Sequence, residues 1–408
     1  MRCSAAIAIC VLACWIVASA VGAASDVEMR AAPEREAPDW PTFPDPNAAP
    51  IPIDELPVVD LEATGFSPVA AFTILEHEIA PGTRTTIDLE LSESFTGGVV
   101  ETPVQVIHGS EVGPVLCLMA GLHGDEVVGI EVVRRVVARV EPTGLHGTIV
   151  AVPVANPVGF KRLSRYLPDR RDLNRHFPGR SYGSSASRIA HRLFEGVVRQ
   201  CDLLVDFHSG SFHRANLPQV RTDLGNPILF AIAGWFGAPV VIDNAGSPGT
   251  LRYAAVAEGI DALLYEAGEP MRFDEPSVRT GVAGVLSLMR SMQMAELGEK
   301  EATATSEYFR GSHWVRSDFG GIFLGEADLG AWVKAGERLG TVTSPFTNES
   351  RVVLARAEGR VIGRAVDQVV TPGYALFHVG TVEDGELGDE EPVADDVSEP
   401  PGSDERPE

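Results

Sequence analysis

The segment Gly121-Leu-His-Gly-Asp-Glu126 places a histidine and a glutamate three residues apart in a short turn that contains glycine. It follows the apolar run Val115 to Ala120 and precedes an amphipathic stretch that starts at Val127. This pattern predicts a strand, a tight turn and the start of a helix. A second apolar run, Leu203 to Phe207, is followed directly by His208, so another imidazole is expected at the end of another strand.

His123, Glu126 and His208 are predicted to bind a zinc ion. Two neutral imidazoles and a carboxylate suit a borderline divalent ion, and three protein ligands leave a fourth position for a water molecule whose pKa the metal lowers to about 7. The alternative for an isolated His-x-x-Glu pair is a surface pair or a structural histidine in the core. The position of both histidines at the end of an apolar strand favours the metal site, because open α/β sheets bind ligands there. Such a site predicts hydrolysis.

The charge of the chain excludes one class of partner. The 408 residues carry a formal net charge of −24, and no basic stripe interrupts it. A nucleic-acid backbone would be repelled, so no nucleic-acid partner is predicted. Acidic residues and prolines crowd residues 383–408, which we interpret as a disordered acidic tail.

Residues 1–24 have the pattern of a secretory signal peptide. Arg2 precedes a long apolar run from Ala5 to Ala20, and small residues follow it. We therefore expect a secreted protein or one of the periplasm or cell envelope. Two alternatives stay open: a lipid on Cys14, because Val11-Leu-Ala-Cys14 loosely resembles a lipobox, and an uncleaved anchor. Membrane contact is expected only through this segment, since no later one approaches the roughly 20 apolar residues that span a bilayer.

Outside the predicted signal peptide the cysteines are Cys117 and Cys201, so no framework of disulfides is predicted. Each lies on or beside one of the strands that carry the expected metal ligands. Small core side chains are the favoured interpretation, and a single bridge between them stays open.

The composition changes along the chain predict three further regions. Residues 25–65 are rich in proline and charge, which is typical of a linker. Residues 66–300 begin with a β segment and then alternate strands and helices, which predicts an α/β domain. The strands are expected at 115–120, 148–154, 203–207, 239–243 and 262–265, and the helices at 125–140, 187–199, 227–235, 250–258 and 278–294.

Residues 301–382 change to short strands and glycine turns, which predicts a separate small all-β domain. Sequence segments such as Thr371 to Val379 resemble those of barrel-sandwich domains of the biotinyl and lipoyl type. The attachment turn of those domains is missing from the sequence, so we expect the shape without the prosthetic group.

Between the two ligand segments the chain reads Arg165-Tyr-Leu-Pro-Asp-Arg-Arg-Asp-Leu-Asn-Arg-His-Phe-Pro-Gly179. A guanidinium offers a planar fork of donors for a carboxylate or a developing oxyanion, and an asparagine adds a neutral donor. A single arginine in a loop is more often a solvated charge. The position of Asp-Leu-Asn-Arg between two metal-ligand segments favours a role in the site instead.

Five motifs together resemble the succinylglutamate desuccinylase and aspartoacylase family, a branch of the zinc carboxypeptidase-like fold. The resemblance runs from about residue 79 to 380, and its motifs are Ala120 to Glu126, Asn156 to Phe160, Arg171 to Pro178, Asp206 to Gly210 and Leu264 to Gly268. It implies an α/β fold with a mixed sheet and flanking helices, followed by a barrel-sandwich domain. It also implies one zinc ion per chain, with His123, Glu126 and His208 as ligands.

The resemblance implies two binding roles in the arginine-rich segment. Asn174 and Arg175 match the pair that holds the substrate's carboxylate. An upstream arginine polarises the scissile carbonyl in the family, and Arg165 is our choice, with Arg170 and Arg171 as competitors.

Glu266 matches the family's general base, which takes a proton from zinc-bound water and passes it to the leaving nitrogen. Its position directly after the predicted strand 262–265 supports this independently. Glu269 is the rival, and an ordinary exposed carboxylate is the alternative to both. Asp206 shares a strand face with His208 and is expected either to orient that ligand or simply to ionise near the metal.

The expected function is a zinc amidohydrolase that cleaves an N-acyl amino acid or a similar small carboxylate-bearing amide. A zinc carboxypeptidase or cell-wall peptide amidase on the same fold is the first alternative. A non-catalytic binding protein is the second, although such a protein has no use for a general base. The sequence predicts neither the acyl and amine groups nor the oligomeric state, and it assigns no role to His176, His191 or His213.

Overall fold

The computed structural model describes residues 69–93, 97–295, 305–366 and 368–382. They all lie in one compact unit, Ile51–Glu408. Among them, no helix is both long and apolar enough to cross a membrane. The predicted signal peptide, linker and acidic tail lie outside the described residues.

The strands of the described residues form three sheets, of which the largest holds the predicted site. In chain order they are β1 (Phe72–Ile74), β2 (His77–Ile79), β3 (Thr83–Glu93), β4 (Val99–His108), β5 (Glu111–Ala120), β6 (His146–Val152), β7 (Leu203–His208), β8 (Arg214–Thr222), β9 (Val240–Asp243), β10 (Asp261–Gly268), β11 (Glu307–Phe309), β12 (Gly311–Arg316), β13 (Gly321–Gly325), β14 (Trp332–Val333), β15 (Arg338–Thr343), β16 (Ser350–Leu354), β17 (Gly359–Ala365), β18 (Gln368–Val370) and β19 (Ala375–Thr381). The main path of the large sheet runs β12-β19-β17-β8-β10-β7-β5-β6-β4-β3. The predicted mixed α/β architecture is therefore confirmed.

The parallel centre of this sheet explains the apolar runs of the sequence. β6, β5, β7 and β10 run parallel, and β4 and β8 flank them as antiparallel neighbours. In β5 successive residues enter opposite cores, with Leu116 and Leu118 on one face and Cys117 and Met119 on the other. Burial on both faces requires helices on both sides. It also gathers the carboxyl ends of β5, β7 and β10 at one edge, where such sheets bind ligands.

The helices cover both faces of the sheet. The described α-helices are α1 (Val128–Arg139), α2 (Pro157–Arg162), α3 (Ser185–Gly196), α4 (Pro227–Phe236), α5 (Leu251–Ala257) and α6 (Glu275–Ser291), with 3₁₀ turns at Pro142–Gly144, Leu173–Arg175 and Val198–Gln200. α1 buries the valine stripe that its periodicity predicts, and no side chain caps its first turn. Because its β-branched residues do not favour a helix on their own, packing against the sheet must stabilise α1. The helix lies close to the sheet: a Cβ added to Gly129 would lie 2.4 Å from the Cβ of Phe207.

The C-terminal region is all β, as predicted, but it is continuous with the large sheet. β17 pairs with β8 in antiparallel register, Gly363 opposite Asn216 and Ala365 opposite Arg214, and β19 and β12 extend the sheet outward. β13, β15, β16 and β18 form a separate four-stranded sheet. The domain boundary at residue 301 stays a prediction, and the pairing of β17 with β8 brings this region to the edge of the predicted site.

Cys117 and Cys201 form a disulfide, with an S–S distance of 2.04 Å. The bridge that the sequence left open is therefore present, although both cysteines are also buried in the core as expected. It connects β5 to the residues just before β7. These two strands lead to the histidines of the predicted metal site.

β8 and α2 were not predicted from the sequence. Five residues of β8 are polar and yet buried, namely Arg214, Asn216, Gln219, Arg221 and Thr222. Hydrophobic alternation is the main signal for a strand, and these side chains remove it. α2 is only six residues long, and it begins where Asn156 caps the Gly159 N–H at 2.8 Å.

Candidate active site

The predicted metal ligands meet at the edge of the sheet. His123 and Glu126 lie in the turn between β5 and α1, and His208 is the last residue of β7, the parallel neighbour of β5. One potential ligand atom from each residue lies within 4.8 Å of the other two, and all three side chains are buried. Glu126 Oε1 is 2.7 Å from His123 Nδ1, and its Oε2 is 2.8 Å from His208 Nδ1.

The outer nitrogens of both imidazoles face carboxylates. Asp172 Oδ1 lies 3.0 Å from His123 Nε2, and Asp206 Oδ2 lies 3.1 Å from His208 Nε2. A carboxylate at this position holds the ring proton on Nε2 and directs the lone pair of Nδ1 inward. The two Nδ1 atoms are 3.2 Å apart and point at the same place as the Glu126 carboxylate. This donor set fits a divalent metal ion, and it assigns Asp206 the orienting role that the sequence had left as one of two alternatives.

The electrostatics of these residues follow from the same contacts. Burial would raise the pKa of Glu126, but His123 and His208 hold it well below the usual range. Burial would lower the pKa of His208, but Asp206 and Glu126 hold it well above the usual value. Burial would also raise the pKa of Asp172, and His123 and Arg165 keep it low instead. Glu126 and Asp172 are therefore ionised, as a metal ligand and the hydrogen-bond partner of a ligand must be.

Arg165 reaches the centre of the site. Its Nη1 donates to Ser211 Oγ at 2.6 Å and lies 3.1 Å from Glu126 Oε1. Its Nη2 and Nε donate to Asp172 Oδ2 at 2.7 and 3.1 Å, so one carboxylate fixes the plane of the guanidinium. Of the two competitors, Arg171 pairs with Asp169 at 2.8 Å on the surface and Arg170 is exposed, and neither lines the cleft.

Asn174 and Arg175 lie on the 3₁₀ turn beside the three predicted metal ligands. Asn174 Oδ1 accepts a hydrogen bond from the Leu251 N–H at 2.8 Å, and its Nδ2 is 3.5 Å from His208 Nε2. Arg175 Nη1 donates to the Asn174 carbonyl at 2.9 Å. Its Nε and Nη2 are buried and have no hydrogen-bond partner among the described residues. Two buried donors in one plane match a carboxylate that is not part of the protein.

Glu266 lies on β10 directly beside His208 in the parallel register and lines the same cleft. Asn216 Nδ2 donates to its Oε1 at 2.8 Å, and Arg221 Nη2 lies 3.1 Å from its Oε2. Both partners come from β8, which pairs with β10 on the other side. The rival Glu269 pairs with Arg272 at 2.9 Å and does not line the cleft.

The structure adds site residues that the sequence analysis did not name. Asp172 bridges His123 and Arg165, and Ser211 donates to Glu126 Oε1 at 3.0 Å. Asp172 was inside a recognised motif, but its two contacts depend on the folded loop. Further residues line the cleft from β8, the loop before it and the C-terminal strands, namely Phe212, Arg214, Asn216, Arg221, Trp314 and Arg316. The sequence did not indicate them, because the polar residues of β8 remove the apolar alternation that predicts a strand.

Comparisons with known proteins identify the family that the chain is similar to. Residues 112–292 match the family model of the succinylglutamate desuccinylase/aspartoacylase catalytic domain. A curated relative is the N-alpha-acetyl-L-2,4-diaminobutyric acid deacetylase of Halomonas elongata, 32% identical over 145 residues. That alignment covers 35% of this chain and 42% of the relative, so the chain spans less than half the length of the curated protein it matches.

Two solved structures extend the likeness over most of the chain. A succinylglutamate desuccinylase/aspartoacylase from Rhodobacter sphaeroides is 27% identical with a TM-score of 0.66, and the match covers 74% of this chain and 96% of that one. The product-bound structure of the ectoine utilization protein EutE (DoeB) from Ruegeria pomeroyi is 25% identical with a TM-score of 0.67 and covers 73% and 95%. The likeness therefore includes the C-terminal region as well as the catalytic core.

Proposed function

The chain belongs to the succinylglutamate desuccinylase/aspartoacylase family, and from that premise we propose that it is a zinc-dependent amidohydrolase. Its substrate is an N-acyl amino acid or a similar small carboxylate-bearing amide. One observation carries the proposal: His123, Glu126 and His208 converge in the same cleft as Glu266 and two buried donors of Arg175 that have no partner in the described part of the chain. The name of the Halomonas relative, a deacetylase of an N-acetylated amino acid, supports the class of substrate.

Two imidazoles and one carboxylate are a common ligand set for catalytic zinc. A zinc ion held by these side chains would lower the pKa of water at its open position and polarise a carbonyl oxygen. Asp172 and Asp206 fix the orientation of the two imidazoles, which is the role that outer carboxylates have in such sites.

Glu266 is the general base in this proposal. Its carboxylate accepts a proton from the attacking water and delivers it to the amide nitrogen as the C–N bond breaks. Asn216 and Arg221 each bind one of its oxygens, so the carboxylate keeps one orientation in both steps.

The arginines divide the binding of the substrate. Arg165, held by Asp172, donates to the carbonyl oxygen as negative charge develops there. Arg175 offers Nε and Nη2 to the carboxylate of the substrate, and Asn174 positions it through the main chain. This division favours small amides that carry a carboxylate near the scissile bond.

We also propose that the protein works outside the cytoplasm. The predicted signal peptide gives the first argument. The bridge between Cys117 and Cys201 gives the second, because disulfides persist in oxidising compartments.

A substrate panel tests the proposed function. Zinc-loaded protein should hydrolyse N-acetyl amino acids, lose activity on chelation and regain it with zinc. Dipeptides and cell-wall peptides form the competing arm. Rapid peptide cleavage without N-acetyl amino acid hydrolysis would favour the carboxypeptidase or amidase alternative, and binding without turnover of any amide would favour a binding protein.

A further inference from the structure

The four-stranded sheet β16-β15-β13-β18 is apolar on both of its faces. One face packs into the C-terminal core through Phe323, Val342 and Val353. In an antiparallel sheet successive side chains point to opposite faces, and the face turned to solvent is normally polar. Here the exposed face carries five large apolar side chains that are between 41% and 74% exposed. These five residues, which we call the outer face, are Ile322, Leu324, Val352, Leu354 and Val369.

The pairing register joins the outer face into one patch. Ile322 lies opposite Val369, and Thr341 lies between Leu324 and Val352. Paired strands are about 5 Å apart, so the side chains of one row are direct neighbours. Exposed apolar residues that occur singly need no explanation, but a contiguous patch marks a surface that meets another molecule.

The size of the patch fits the contact that a dimer needs. At these exposed fractions the outer face presents roughly 400–500 Å² of apolar surface, as much as the largest patch on a typical monomer. A standard protein interface buries about 800 Å² per partner, and somewhat more than half of that area is apolar. The outer face can supply this apolar share. Phe346, in the turn that connects β15 to β16, is 94% exposed and adds an aromatic side chain, a residue type that often carries binding energy.

The charge of this region suits a second copy of the same chain. The whole chain has a net charge of −24, which opposes contact between copies. Residues 321–370 contain the entire sheet and carry six basic and six acidic residues, so this region has no net charge. The two arginines of the sheet, Arg338 and Arg351, pair with Glu326 at 2.6 Å and with Glu349 at 3.1 Å. Two copies can therefore meet here without the repulsion that the rest of the chain imposes.

The acidic C-terminal segment is a poor occupant of the outer face. Residues 383–408 contain twelve acidic residues and one basic residue. Their carboxylates would lose hydration against an apolar sheet and gain no partner there. An identical sheet is a better match, because each copy then buries the same apolar side chains.

We propose that the outer face packs against the outer face of a second copy, so that the protein forms a two-fold symmetric dimer. The two sheets would lie about 10 Å apart with interdigitated side chains, like the layers of a β-sandwich. In such a dimer each residue of the outer face occurs twice in the interface. The inference does not depend on the proposed function, since none of the residues that line the cleft belongs to the outer face.

Sedimentation velocity of the purified full-length protein, from nanomolar to micromolar concentration, tests the proposal. Wild type should have the mass of a dimer at micromolar concentration. Leu324→Glu should weaken dimerisation about a hundredfold or more, because the two-fold interface would then bury two carboxylates without partners. Val352→Glu should have the same effect. Leu324→Ser is a milder change that removes apolar area without adding charge, and it should weaken dimerisation about tenfold.

The matched control is Val112→Glu. Val112 is 73% exposed on β5 and lies outside the outer face, so this variant should remain a dimer. Far-UV circular dichroism should show the wild-type spectrum for every variant, since the replaced side chains are exposed in the single chain. A folded monomer with glutamate at residue 324 or 352, together with a dimeric control, is the expected result.

Three outcomes would overturn the proposal. The first is a wild type that stays monomeric over the whole concentration range. The second is a dimer that persists in both Leu324→Glu and Val352→Glu, because its interface must then lie elsewhere. The third is a monomeric wild type that sediments with vesicles of phosphatidylethanolamine and phosphatidylglycerol while Leu324→Glu does not, which would assign the outer face to a lipid surface.

Discussion

The two sides of the cleft differ in how their residues come together. One side, the motif wall, consists of His123, Glu126, His208 and Glu266 at the ends of β5, β7 and β10. The other side, the assembled wall, consists of Phe212, Arg214, Asn216, Arg221, Trp314 and Arg316 from β8, β12 and the loop before β8. The motif wall performs the chemistry in our proposal, and Asn216 and Arg221 of the assembled wall orient Glu266.

This difference shows which residues of an active site need to come from short sequence motifs. Metal ligands need a fixed geometry, and strand ends beside tight turns provide it with few residues. Substrate selection needs charge and shape at some distance from the metal, and long-range strand pairing can provide both. We therefore expect changes in the motif wall to abolish the reaction and changes in the assembled wall to grade it.

The largest effect is expected from the metal ligands. His123→Ala or His208→Ala should reduce bound zinc from about one ion per chain to very little, and activity should disappear with it. Elemental analysis and a deacylation assay measure the two losses. His176→Ala is the matched control, since His176 does not line the cleft. Full zinc in either ligand variant would remove that histidine from the site.

Glu266→Gln should lower kcat about a hundredfold or more, since a general base typically contributes 10²- to 10⁴-fold. The amide keeps the size of the side chain but cannot take the proton, so zinc content should stay at the wild-type level. Glu269→Gln is the control on the same segment, outside the cleft. Near-normal turnover of Glu266→Gln together with a loss in Glu269→Gln would transfer the role to the rival.

The motif wall could be predicted from the sequence, whereas the assembled wall could not. An apolar run that ends in Gly-Leu-His-Gly or in His-Ser-Gly indicates both a strand and the position of its last side chain. His123 and His208 could therefore be predicted from the sequence. Glu266 followed from its place after a predicted strand and from the family motif. The parallel centre of the sheet followed from the same apolar runs.

β8 shows why the rest was missed. Its inward residues Arg214, Asn216 and Arg221 are polar because they serve the site, so the strand lacks the apolar alternation on which prediction depends. Trp314 and Arg316 reach the cleft only because β17 pairs with β8 across a long stretch of sequence. The sequence left the question of a disulfide undecided for the same reason, since two cysteines in different segments meet only after β5 and β7 pair.

Arg175→Lys should lower kcat/KM about ten- to hundredfold for carboxylate-bearing amides although the charge is kept. A single ammonium cannot replace the planar pair of donors at Nε and Nη2. If Arg175 binds a remote carboxylate, the effect lies mainly in KM, and if it meets the oxyanion instead, it lies mainly in kcat. Equal kcat/KM of variant and wild type on carboxylate-bearing and neutral amides would remove the carboxylate from the proposed substrate class.

Asn216→Ala tests whether the assembled wall positions the base. The variant loses the 2.8 Å hydrogen bond to Glu266 Oε1, so kcat should fall about tenfold with little change in KM. A double-mutant cycle with Glu266→Gln distinguishes positioning from general damage. When Glu266→Gln is already present, the Asn216 change should have little further effect, because no carboxylate remains to be oriented. Fully additive losses would mean that Asn216 acts independently of Glu266.

The smallest effect on catalysis is expected from the disulfide, which connects β5 to the residues just before β7. Replacing Cys117 and Cys201 together with Ala should lower the free energy of unfolding by about 2–4 kcal/mol, because the cross-link restricts a loop of 84 residues in the unfolded chain. Zinc content and kcat should change little, since the strand pairing itself positions the histidines. Reductant should destabilise wild type by a similar amount and leave the double variant unaffected. Two free thiols in denatured, unreduced wild type would contradict the bridge, and a loss of zinc in the double variant would mean that the motif wall depends on the cross-link for its geometry.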